Sequence, residues 1–311
     1  MSWRWGSHAV SRSILCRPEG QRHGRAYRRV CCHKASSGLV YSFRPMTSSE
    51  GQRFSLVTIA AAAIPGFALQ SFAHEVLGHA VTAWLTGVPI ILISSTAMQT
   101  RGGGRIVPAS GPLANLCFGA LGYLALRCLP RFSSLRLLIW IFAFANLFIG
   151  TGYILFSGVT NFGDFAFVIA GWKPAWLYRA SLIVFGILGY RFSVSLAARD
   201  ALRMIRSGSL APEEFRRVCY ASCVAGGALY VAASVLNPVS RSLILYDGVS
   251  SACGIAVGLL LLPPIVDRYA KTLHSTAPGE TSLPFSAAWV IFGAISAALF
   301  IVFLGRGIRI R

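Results

Sequence analysis

Residues 55–86 read SLVTIAAAAIPGFALQSFAHEVLGHAVTAWLT. The run is apolar or small along most of its length, and it exceeds the roughly 20 residues a helix needs to cross a hydrocarbon core about 30 Å thick. It predicts a membrane helix, and Pro65 with Gly66 predicts a kink in it. Set inside it are His74, Glu75 and His79. Ionisable side chains at membrane depth are costly, so these three are candidates for function before anything else is known.

Moving outward, apolar runs at about 107–128, 135–157, 176–198, 216–236, 243–265 and 284–305 bring the expected spans to seven. The fold class is therefore an all-α, polytopic transmembrane helix bundle. Between the first two spans, Val88 to Ser94 is apolar and β-branched, and Arg101-Gly102-Gly103-Gly104-Arg105 supplies turn residues before Ile106 and Val107. That pattern predicts a small β-hairpin or re-entrant loop. Non-helical backbone survives at membrane depth only where it is buried in protein or faces water.

Composition agrees. Of 311 residues, 55% are hydrophobic and 13% charged, with 20 Phe and 7 Trp. An ordinary soluble enzyme would have about 25% charged residues. The net charge of +19 does not imply a nucleic-acid partner, because after residue 53 the basic residues lie mostly between apolar runs, where they act as topology signals. Residues 1–53 hold ten Lys or Arg against Glu19 and Glu50. They have no apolar core for a secretory signal and read as a disordered basic arm, a transit peptide, or sequence ahead of a start at Met46. The domain division expected is thus 1–53, a membrane core at 54–175, and additional helices at 176–311. The eight cysteines are scattered and form no disulfide framework. Cys31-Cys32-His33 lacks the second ligand pair of a zinc finger.

The spacing His74-Glu75-Val76-Leu77-Gly78-His79 differs from HExxH, whose histidines share a helical face at i and i+4. At i and i+5 two imidazoles on a regular helix point about 140° apart. A π-bulge would return them to one side, and Gly78 eases one. Without it, Glu75 and His79 would face together instead. Catalytic zinc takes three protein ligands and keeps one position open, so a third is needed. Asp164, in Asn161-Phe162-Gly163-Asp164-Phe165, is the better choice and Asp247 the other. Glu75 would then be the base that takes a proton from a zinc-bound water. The competing account makes His74 and Glu75 an interhelical polar pair and Asp164 a helix cap.

These residues resemble the site-2-protease family of intramembrane zinc metalloproteases. The likeness rests on His74-Glu75-Val76-Leu77-Gly78-His79-Ala80, on Ser110-Gly111-Pro112-Leu113-Ala114-Asn115 and on Asn161-Phe162-Gly163-Asp164. It covers about residues 55–170. It implies that His74, His79 and Asp164 hold one Zn2+ per chain and that Glu75 is the base. It implies further that the loop from Val88 to Val107 holds an extended substrate and that Asn115 stands near the active site. The HExxxH spacing is also that of the dipeptidyl peptidase III family, while Glu213-Glu214 reads as a solvated charged loop.

The expected activity is hydrolysis of peptide bonds in membrane-protein or peptide substrates. The partners are that substrate and the lipid bilayer, with no nucleic acid; the oligomeric state cannot be read. The expected location is the cell's inner membrane, or an organelle membrane if residues 1–53 are a transit peptide. The alternatives are a non-catalytic metal-holding membrane protein and a small-solute transporter.

Overall fold

The computed structural model describes residues 54–129, 131–237, 250–271 and 282–310. They fall in one compact unit running from Met46 to Arg311. The readings made for residues 1–53 and for Asp247 lie outside the described residues.

Helix α1 (Leu56–Phe72) starts where the Ser55 hydroxyl accepts from the Thr58 N–H, an N-cap that satisfies one free backbone donor. It runs unbroken through Pro65, and its departure from α geometry comes later, as a π-helical stretch at Ala73–Ala80, before α2 (Val81–Leu85) completes the crossing. Then come α3 (Ile106–Ala125), α4 (Ser134–Thr160), the short α5 (Asp164–Ile169), α6 (Ala175–Arg206), α7 (Pro212–Val235), α8 (Ser250–Ala270) and α9 (Ala287–Leu299). Among the described residues, six helical stretches are long and apolar enough to cross a membrane. The chain is a membrane protein built as a helix bundle. The run expected at 243–265 begins outside the described residues, and α8 occupies its described part.

The bundle is arranged around α4, which packs on α1, α3, α6 and α8, while α1 also meets α7 and α9. Residues before and after 175 thus share one core. The glycine-rich runs serve close packing: a Cβ on Gly226 would stand 2.5 Å from Phe67, and one on Gly258 would stand 2.5 Å from Phe148. Large apolar side chains on the outer faces, such as Leu124, Phe185, Leu188 and Val224, are exposed. That pattern fits a hydrocarbon surround and would be a liability in water.

A three-stranded sheet interrupts the helices, in the order β2-β1-β3. Strand β1 (Ile90–Ile93) pairs antiparallel with β2 (Met98–Thr100), with Ile93 opposite Met98 and Ile90 opposite Thr100. The hairpin lies where the sequence places it, but its second arm is Met98-Gln99-Thr100, and Ile106 and Val107 open α3 instead. Three glycines before Arg105 end the extended chain, and the apolar residues after them have enough following helix to be drawn into it. The far edge of β1 is covered by β3 (Ile308–Arg309), the end of the described chain. Among the described residues this leaves β2 as the open edge, beside the candidate site.

Candidate metal centre

The π stretch does locally what the i, i+5 spacing requires. His74 and His79 meet edge to face, ring centroids 4.7 Å apart, with their Nε2 atoms 3.2 Å from each other. Both are about 5% exposed. Two glycines let α3 come this close: a Cβ on Gly78 would stand 2.7 Å from Gly111 Cα, and one on Gly111 would stand 2.5 Å from His79 Cε1 and 2.8 Å from His74 Nε2. Neither position has room for a side chain.

Each imidazole is oriented through its other nitrogen. His79 Nδ1 lies 2.7 Å from the Val107 carbonyl, which can only accept, so Nδ1 carries the proton. His74 Nδ1 lies 2.5 Å from Asn115 Oδ1. Asn115 Nδ2 is committed as a donor to Asn146 Oδ1 at 2.7 Å and to the Gln70 carbonyl at 3.4 Å, so Oδ1 is the acceptor and His74 also carries its proton on Nδ1. In the neutral form both Nε2 atoms therefore present lone pairs.

The third group arrives from the end of α4. Asn161, at φ 57°, terminates that helix, and Gly163, at φ 88°, turns the chain so that α5 begins at Asp164. Asp164 Oδ2 stands 3.2 Å from His74 Nε2 and Oδ1 stands 3.5 Å from His79 Nε2, although Oδ2 makes no hydrogen bond. Burial pushes the Asp164 carboxyl up, but positive charge on the imidazole side outweighs burial and holds it below the usual carboxylate range. With that charge in place, on the imidazoles or on a bound cation, it is an anion.

Three electron-pair donors thus converge with their lone pairs turned on one another. Protons on the two Nε2 atoms, each shared with one Asp164 oxygen, would relieve the site only by charging both imidazoles; a cation at the centre relieves all three groups with the imidazoles neutral. The separations suit one: with Zn–N and Zn–O distances near 2.0–2.1 Å, two ligands of a tetrahedral site lie about 3.3 Å apart, against 3.2 Å between the two Nε2 atoms and 3.2 and 3.5 Å from them to Asp164 Oδ2 and Oδ1 respectively. Among the described residues this is the His, Cys, Asp and Glu group able to hold a metal ion. The donor set fits zinc.

Glu75, 4% exposed, adjoins the cluster, and its Oε2 has no hydrogen-bond partner. It borders a cavity of about 380 Å³ that the three cluster residues, Thr96 to Met98 and Gly102 to Gly104 also line. Aromatic rings of Tyr153, Phe156, Phe162 and Phe167 complete the wall. The four residues singled out from sequence are therefore brought together. Glu213 and Glu214 are not part of the site: Glu214 Oε2 accepts from the Ala211 N–H at the start of α7, and Glu213 lies 3.8 Å from Arg216.

Sequence reasoning missed Asn146, Gln70 and Tyr153. Asn146 had a signal, being a lone amide inside a long apolar helix; the carbonyls of Gln70 and Val107 had none, since any residue supplies one. Comparison with family models, with curated proteins and with solved structures finds no match to this chain.

Proposed function

We propose that this protein is an intramembrane zinc metalloendopeptidase of the kind the site-2-protease resemblance implies. The observation carrying the reading is the convergence of two imidazole Nε2 atoms 3.2 Å apart with a carboxylate that turns one oxygen toward each, beside a buried carboxylate oxygen without a partner. A structural metal site would be closed, and this one borders a cavity.

His74, His79 and Asp164 would hold the zinc, and a zinc ion there supplies Lewis acidity toward a carbonyl and an acidified water. The chain's own residues supply the rest. Glu75 accepts the proton of the attacking water and returns it to the leaving amine. The edge strand β2 offers main-chain hydrogen bonds to an extended peptide, and Met98 and Thr100 place that strand along the cavity wall. A helical substrate would have to unwind to add to this edge. The Gly102 to Gly104 segment keeps the wall low enough for backbone to approach. The membrane proposed is the cell's inner membrane, or an organelle membrane if the basic residues 1–53 act as a transit peptide.

The test is metal content by mass spectrometry of protein purified in detergent without chelator, alongside His79→Ala, Asp164→Ala and Glu75→Gln. About one zinc per chain is expected, lost in the first two variants. Glu75→Gln should keep the metal and lose about 10²- to 10⁴-fold of any peptide hydrolysis. Wild type without zinc would end the metal reading. Zinc present in wild type and Glu75→Gln but lost in the other two, with unaltered cellular activity in Glu75→Gln, would favour a protein that holds metal without catalysis, and zinc retained in His79→Ala and Asp164→Ala would overturn the ligand assignment.

A further inference from the structure

We infer that Asn146, which touches neither the metal ligands nor Glu75 through any hydrogen bond described above, is a positioning residue that sets which nitrogen of His74 is free to bind metal. The inference rests on the metal-site reading and concerns how that site is held ready.

Asn146 Nδ2 donates to the Phe142 carbonyl at 2.7 Å, one turn back along α4. A carbonyl cannot donate, so this bond fixes which end of the Asn146 amide is NH2, and Oδ1 must face Asn115. Asn115 Nδ2 then donates to it at 2.7 Å, and the Asn115 carbonyl oxygen is left to accept from His74 Nδ1. Three side chains and one backbone carbonyl form a directed chain in which every donor has an acceptor. Asn115 and Asn146 are fully buried, so no solvent competes for these bonds.

If the Asn115 amide were turned over, its NH2 would face His74. The imidazole would then have to accept at Nδ1 and carry its proton on Nε2, the atom 3.2 Å from both His79 Nε2 and Asp164 Oδ2. A protonated Nε2 cannot ligate. What opposes the turn is Asn146, since two carbonyl oxygens would then face each other at hydrogen-bond distance between two fully buried side chains. The Gln70 carbonyl adds only a long contact of 3.4 Å. Amides do not titrate, so this control persists at any pH where the imidazole is neutral. His79 is held separately by the Val107 carbonyl and does not depend on it.

The test compares wild type with Asn146→Leu and Asn146→Asp in detergent, reading zinc affinity by competition with a chromophoric chelator and folding by thermal melting. Loss of an outer hydrogen-bond partner typically lowers metal affinity about 10- to 100-fold, and that loss is expected for Asn146→Leu. Asn146→Asp should restore affinity to near wild type, because a buried, protonated carboxyl can donate to Phe142 and accept from Asn115. Wild-type affinity in a folded Asn146→Leu protein, or no rescue by Asn146→Asp, would overturn the inference. Should Asn146→Leu not fold, nitrogen-15 NMR of metal-free wild type decides: His74 protonated on Nδ1 is expected, and His74 protonated on Nε2 overturns it. That measurement needs no zinc. A wild type that binds none while showing the Nδ1 proton would remove the metal reading and leave the directed chain standing.

Discussion

Among the described residues, two clusters of acidic and basic side chains are drawn into the bundle, and they are built on opposite terms. At one end of α4, Arg136 and Asp200 are 4% and 3% exposed. Arg136 Nη2 donates to both Asp200 carboxylate oxygens at 2.8 and 3.1 Å, Nη1 donates to the carbonyls of Leu126 and Leu129, and Nε reaches Met204 Sδ at 3.1 Å. Each charge is met in kind. Past the other end of α4, His74, His79 and Asp164 turn electron pairs toward one another, and Asp164 Oδ2 and Glu75 Oε2 lack hydrogen-bond partners. A closed network joins the ends of α3, α4 and α6; an open one beside a cavity is suited to receive something. The difference between architecture and site therefore lies in what is left unsatisfied, since both groups are largely withdrawn from solvent and both cost desolvation.

The largest expected effect comes from opening the closed group. Asp200→Ala leaves the Arg136 guanidinium buried without a counter-charge, and breaking a buried pair from one side costs about 3–5 kcal/mol. Equilibrium unfolding in mixed micelles should show that loss, while zinc affinity of the protein that remains folded stays at the wild-type value. A fall in zinc affinity would mean the two groups are coupled through α4. The comparison would then have to be redrawn.

A smaller effect is expected from crowding the open group. In Gly111→Ala the added methyl must displace an imidazole, given gaps of 2.5 and 2.8 Å. Overpacking costs about 1–3 kcal/mol, and if the strain falls on the metal-bound form, zinc affinity drops roughly 5- to 150-fold. Chelator competition measures it. Unchanged affinity would show that the histidines have slack that the close approach of α3 conceals.

How much of this could be read from sequence differs between the same two regions. The spans were legible because apolar length alone identifies a membrane helix, and the hairpin because glycines and β-branched residues signal extended backbone. The candidate site was legible for a different reason: His74, Glu75 and His79 are expensive inside a hydrophobic run, and Asp164 follows a glycine in apolar surroundings. The support for the site was not legible. The Val107 and Gln70 carbonyls carry no sequence signal, and the β3 pairing joins residues more than two hundred positions apart. Arg136 and Asp200 were passed over because each sits near the end of its run, where a charged side chain normally reaches water or headgroups. Only the packing of α3, α4 and α6 shows that they meet.

The smallest expected effect is the most informative about the closed group. Replacing both partners, Arg136→Met with Asp200→Leu, removes both charges and their desolvation, so the double variant should be more stable than Asp200→Ala by about 1–3 kcal/mol. It should not regain the wild-type value, because the Leu126 carbonyl loses its donor in a buried setting, and an unsatisfied buried group costs about 1–3 kcal/mol. Unfolding in mixed micelles reads both numbers. A double variant no better than Asp200→Ala would mean that the hydrogen bonds from Arg136 to the end of α3 carry the stability. In that case the arginine acts as a cap for α3, and Asp200 serves to keep its charge neutralised. A double variant above the wild type would mean the pair is retained at a net cost. Its role would then be to fix which helix ends meet, the same positioning of α4 against α3 on which the convergence of Asn146 and Asn115 at the other network depends.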